Sequence, residues 1–136
     1  MSNLQRLLAM LLAIVLVAVA CKGSAPGERC ARCGMKIAQG SAWTAQVDAR
    51  RFDTPRCALS TWLADGKKGD VRVQDYYDRA WHPASDVRFV VGSDVVGPMG
   101  PELVPVDAAR VEKFEKDHGG KRALALAEID EASLAP

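Results

Sequence analysis

The chain has 136 residues, 18 Lys plus Arg against 17 Asp plus Glu, and 49% hydrophobic side chains of which few are aromatic. A length of this order supports one compact domain and hardly two. The charges are balanced, no basic patch argues for a nucleic-acid partner, and no acidic block argues for a disordered tail.

The first segment, "MSNLQRLLAMLLAIVLVAVA", carries one charge, Arg6, followed by an unbroken apolar run from Leu7 to Ala20 that stops at Cys21. The run is too short and too abruptly ended for a membrane span and reads as a secretory signal over residues 1–20. Small residues directly before a cysteine predict that Cys21 is lipidated and becomes the mature N-terminus; a plain cleaved signal is the other option. Residues 21–29 then form a Gly/Pro/Ser-containing tether between lipid and domain. The expected location is the bacterial cell envelope, lipid-anchored and facing the periplasm, with the choice of inner or outer membrane not encoded. Export places the domain where disulfides form. With Cys21 acylated, Cys30, Cys33 and Cys57 remain, and they cannot all pair within one chain. At least one thiol is therefore free, metal-bound or paired between molecules.

From Ser41 onward short strands alternate with two helices. "SAWTAQV" places Trp43, Ala45 and Val47 on one face, and "DARR" turns the chain into a short strand at "RFDT". A helix follows, with Thr54 as its cap, Pro55 at the first position, Leu59, Trp62 and Leu63 as its apolar stripe and Gly66 at its end. "DVRVQDY" returns as a strand through Val71 and Val73. The order then repeats: "DVRFVVGSDVV" is β-rich, "ELVPVD" is a short strand interrupted by Pro105, and Asp107 caps a helix to about His118. Val111, Phe114 and His118 share one face of that helix. Gly119 and Gly120 stop it, and "KRALALAEID" is expected as a closing strand. The reading is an α+β domain over 30–136, built from two strand-strand-helix-strand halves, about 30–78 and 79–131, with helices on mainly antiparallel sheet.

The chemistry is concentrated in "CARCGM", Cys30 to Met35. Covalent haem attachment requires histidine after the second cysteine, where Gly34 stands. A thiol-disulfide redox pair of Cys30 and Cys33 is one reading, although such dithiols open a helix after a strand and no strand precedes this one. Structural zinc is another, because Cys30, Cys33, Cys57 and a histidine would complete a tetrahedral set, but it leaves Met35 without a purpose. Copper(I) is soft, takes two or three ligands and prefers thiolate and thioether sulfur. Cys33 and Met35 offer that pair if the backbone turns between them, which Gly34 permits through positive φ. A disulfide between Cys30 and Cys33 would consume the thiolate that copper needs.

Further ligands are less sharply marked. His118 ends an apolar helical stripe and could aim an imidazole at an ion, or could instead complement the helix dipole. Met99, in "GPMGP", is either a second sulfur near the site or a packed loop residue. A cysteine in the first turn of a helix has a lowered pKa, yet Cys57 beside Trp62 reads rather as an inert small hydrophobe. His82 reads as a surface residue. No serine or acid adjoins either histidine in a hydrolytic pattern, and "GSDVVG" opens no phosphate-binding helix, so no enzymatic activity is expected.

The ordered set "CARCGM", "FDTPRCALSTWL", "VQDYYDRAW", "VVGSDVVGPMG" and "HGG", after a signal ending at Cys21, resembles the NosL family over almost the whole mature chain. That resemblance implies two strand-strand-helix-strand halves and a copper(I)-binding accessory lipoprotein that helps supply copper to periplasmic nitrous oxide reductase. It places the family's Cys-x-Met element on Cys33, Gly34 and Met35 as copper ligands, implicates an imidazole for which His118 is the best-placed candidate, and maps "PMG" onto Pro98, Met99 and Gly100. "ELVPVD" departs from it in carrying no aromatic residue.

Overall fold

The computed structural model describes residues 27–135. The expected signal over 1–20, lipidation of Cys21 and most of the tether lie outside these residues. Among the described residues nine strands, β1 (Ala45–Val47), β2 (Arg50–Phe52), β3 (Val71–Gln74), β4 (Trp81–Pro83), β5 (Val87–Val91), β6 (Val96–Gly97), β7 (Gly100–Pro101), β8 (Val104–Asp107) and β9 (Arg122–Leu124), are joined by three α-helices, α1 (Pro55–Ala64), α2 (Val111–His118) and α3 (Glu131–Leu134). Among the described residues no helix is long and apolar enough to cross a membrane.

All pairings between these strands are antiparallel. One sheet has the order β2-β1-β3-β4, a second β8-β5-β9, and β6 with β7 forms a separate hairpin. The α+β architecture on mainly antiparallel sheet is as the sequence predicts; β1-β2-α1-β3 and β5-β8-α2-β9 give the strand-strand-helix-strand order, while β4, which follows residue 78, joins the first sheet and β6–β7 is an added hairpin. β1 and β2 close around Asp48, whose φ of 52° an Asp tolerates better than most residues. In β1 the buried Ala45 and Val47 flank half-buried Gln46, and in β3 Val71 and Val73 are buried while Arg72 is exposed. Pro105 is accommodated because β8 lies at the edge of its sheet, and its carbonyl accepts from Tyr76 N–H at 2.9 Å.

The main core joins α1 to both sheets, through Phe52, Leu59, Trp62, Val73, Phe89 and Leu103 among others. β5 supplies two faces: Val87 and Phe89 enter this core, whereas Val90 joins Val104, Val106 and Phe114 in a smaller cluster under α2. Two details differ from expectation. Asp107 caps a 3₁₀ turn at Ala108–Arg110 that leads into α2, rather than capping the α-helix itself. The closing strand ends at Leu124, and a third helix follows. A 3₁₀ turn at Leu126–Glu128 takes the place of the expected strand's second half, and beyond it Asp130 accepts from Ser133 N–H at 2.8 Å and donates its own N–H to Ser133 Oγ at 3.0 Å, a reciprocal cap that starts α3.

Candidate metal centre

Residues 28–37 form a small hairpin. Arg29 bridges Lys36, Ile37 N–H donates to Glu28 O, Cys30 N–H donates to Met35 O at 2.8 Å, and Gly34 N–H donates to Cys30 O at 3.0 Å. Gly34 sits at φ 75°, which supplies the turn between Cys33 and Met35 that its lack of a Cβ makes cheap. Ala31 N–H donates to Arg51 O, fastening this turn to β2. The next residues on that strand bring the rest of the site: Phe52 ends β2, Asp53 follows, and Thr54 caps α1.

The start of α1 is built to hold a thiol. Pro55 removes one of the amides that a helix N-terminus leaves unpaired, and Thr54 Oγ1 accepts from Cys57 N–H at 3.2 Å. Cys57 is thereby fixed in the first turn with its side chain buried. Cys30, Cys33, Asp53 and Cys57 each offer one donor atom, and those four atoms all lie within 4.8 Å of one another. Cys33 is exposed; the other three are buried. All three thiols are unbridged.

The electrostatics follow from this crowding. The Cys57 thiol is pushed far up, first by burial and then by the Asp53 carboxylate and Cys30. The helix N-terminus, which would lower a thiol pKa, is outweighed. The Cys33 thiol is also shifted up, first by partial removal from water, against a Met35 backbone hydrogen bond that acts the other way. Cys33 Sγ lies 3.5 Å from Asp53 Oδ2, while buried Asp53 Oδ1 has no hydrogen-bond partner among the described residues. Three thiols and a buried carboxyl with a spare oxygen form a set that a metal ion would satisfy by displacing protons.

The sequence-predicted residues distribute as follows. Cys33 and Cys30 are in the cluster. Met35 adjoins it along the chain, with its side chain 45% exposed. Met99, at the tip of the β6–β7 hairpin, places Sδ 3.9 Å from Cys57 Sγ. His118 is engaged elsewhere: Nε2 lies 3.1 Å from Tyr76 Oη, Nδ1 lies 3.0 Å from Asp94 Oδ1, and its ring packs against Phe114 and Tyr76. His82 lies on β4, half-buried, with Nε2 3.8 Å from Asp78. Sequence reasoning passed over Asp53 and set Cys57 aside as a small hydrophobe. The available signal was "DTPRC", an acid directly before a helix cap with a thiol in the first turn.

The family model for NosL matches residues 24–134. This chain belongs to the NosL family. In three dimensions it is similar to a solved structure described as the copper chaperone NosL from Shewanella denitrificans, with a TM-score of 0.66 and 24% sequence identity, over 82% of this chain and 96% of that one. That likeness shows the fold of a NosL protein. No curated protein matches the chain. In this NosL chain the four clustered donors can hold a metal ion.

Proposed function

We propose that this NosL protein is a copper(I) carrier of the cell envelope, holding one ion at the Cys30, Cys33 and Cys57 cluster and surrendering it to an acceptor enzyme. The observation that carries the reading is the cluster itself: three sulfurs from two distant segments, with a methionine sulfur 3.9 Å from one of them. Thiolate and thioether donors suit a soft monovalent ion. Cys33 and Met35 remain the proposed primary ligands, with one further sulfur, from Cys30, Cys57 or Met99, completing a set of three and Asp53 beside them. Exposure at Cys33, Met35 and Met99 lets an acceptor's own ligand join the ion before the carrier lets go, which is transfer by ligand exchange and needs no catalysis.

The acceptor is proposed to be nitrous oxide reductase, with delivery from a lipid anchor on Cys21 facing the periplasm; support for these two points comes from the family resemblance and the sequence of the first segment. The Asp53 oxygen favours a second reading, a structural zinc ion with three sulfurs and one oxygen. Metal analysis with copper(I) competition separates the two. On the copper reading the wild type takes one copper(I) under reducing conditions, Cys33→Ala loses it, and Met35→Leu weakens binding while the fold persists. Tight zinc with no competition from copper(I) would reject it, and a Met35→Leu variant that binds copper(I) like the wild type would remove Met35 from the site.

A further inference from the structure

We propose that Arg56 and Glu102 are positioning residues, which clamp the β6–β7 hairpin onto the first turn of α1 and thereby seat the Met99 thioether against Cys57. The inference rests on the copper reading above and adds a way in which the second thioether is held.

The hairpin needs such a device. Its two strands pair only through Val96 with Pro101 and Gly97 with Gly100, it belongs to neither larger sheet, and Val96 and Met99 are 64% and 47% exposed. Apolar burial therefore contributes little to its placement. Polar contacts from far along the chain replace it. Arg56 donates from Nη2 to Pro101 O at 2.7 Å and from Nη1 to Leu134 O, so one guanidinium ties β7, α3 and α1 together. Glu102, almost fully buried, accepts at Oε1 from Arg56 N–H and from Leu103 N–H, both at 3.0 Å, with Arg56 Nε 3.9 Å away. The first of these bonds satisfies an amide that the start of α1 cannot pair internally, so the carboxylate is bonded to the same turn that carries Cys57. Gly97 lies close over Glu102, since a Cβ built there would stand 3.3 Å from Glu102 Cβ. The outcome of these contacts is the 3.9 Å approach of Met99 to Cys57.

A carboxylate that merely capped α1 would account for the Arg56 amide alone, and a double-mutant cycle separates the two roles. Copper(I) affinity of the full chain is measured by competition with a colorimetric chelator for the wild type, Met99→Leu, Glu102→Ala and the double variant. Glu102→Ala is expected to weaken binding about tenfold, the lower end for groups that orient metal ligands, Met99→Leu by at least as much, and the double variant to bind no more weakly than Met99→Leu. Glu102→Gln keeps an oxygen for both N–H donors and is expected to restore wild-type affinity. Losses that multiply in the double variant, or wild-type binding by Glu102→Ala, would overturn the clamp. Amide hydrogen exchange at residues 96–101 in the metal-free protein gives a copper-independent readout: it is expected to quicken in Glu102→Ala, and in Arg56→Lys should the alanine variant fail to fold. Unchanged exchange there refutes the clamp, whereas a wild type that binds no copper(I) refutes the carrier reading and leaves this measurement standing.

Discussion

The two halves of the molecule share a strand-strand-helix-strand succession and differ in what their helices do. α1 buries Pro55, Cys57, Ala58, Leu59 and Trp62 against the first sheet, and its N-terminal turn meets the thiol hairpin. α2 buries only Phe114, and its C-terminal residue His118 packs on Tyr76, which in turn meets Tyr77. Tyr76 and Phe114 meet edge to face at 5.0 Å, and His118 is locked by hydrogen bonds at both ring nitrogens. The same topology thus yields a thiol-lined end in one half and an aromatic-packed end in the other. What distinguishes them is which distant segments converge on the helix terminus: residues 30–33 and the Met99 hairpin on α1, the Tyr76–Tyr77 turn and Asp94 on α2.

That contrast breaks if the second half proves chemically essential. Phe114→Ala removes a fully buried ring and is expected to cost about 4 kcal/mol in urea unfolding, while copper(I) affinity of the folded fraction stays at the wild-type value. The Glu102 carboxyl, raised to about 7 by burial, sharpens the contrast from the other side. The native state holds that proton up to about pH 7, whereas the unfolded chain releases it near 4.5, so the native state binds more protons across this window. Stability should therefore fall by about 3 kcal/mol as pH rises through it, a trend that Glu102→Gln abolishes in urea titrations at pH 5 and pH 8. Asp78 and Asp130, held below the usual carboxylate range mainly by backbone N–H donors, act in the opposite sense and only at lower pH.

Next in size is the copper contrast itself. Cys33→Ala should weaken copper(I) binding by about 100-fold or more, beyond what loss of an orienting group produces, and His118→Ala should leave it unchanged in the same competition assay. Equal losses in both variants would mean that the ion bridges the halves. The smallest effect belongs to the cap. Thr54→Ala is expected to cost about 1 kcal/mol of stability by thermal or urea unfolding, because it frees the Cys57 amide.

Local signals carried well from residues to fold. Thr54 and Pro55 mark the start of α1 and Leu59 and Trp62 its buried face, and the alternation in β1 and β3 is written in Ala45, Val47, Val71 and Val73. Signals that depend on meeting partners did not. The stripe Val111, Phe114, His118 identifies a face of α2, but a face does not say what it faces, and here it meets Tyr76, outside the cluster of Cys30, Cys33, Asp53 and Cys57. Cys57 looks inert as a small residue beside Trp62 until residues 30–33 are brought next to it by the Ala31 to Arg51 hydrogen bond on β2. Asp53 is an ordinary polar residue in the one-dimensional pattern, and only its burial with one oxygen unpartnered makes it conspicuous. The apolar alternation of "ALALAEID" predicts a strand to Asp130, yet the strand stops at Leu124 and a 3₁₀ turn follows at Leu126–Glu128.

The thiols are graded in depth, with Cys33 at the surface and Cys30 and Cys57 only 3% and 5% exposed. A bulky maleimide should consequently label them in sequence, outermost first. On the proposed carrier reading, the same gradient would set an order of departure for a seated ion: the outer sulfur would be relinquished to a visiting side chain while the inner pair keeps its grip, and the cargo would cross between hosts without ever wearing a shell of water.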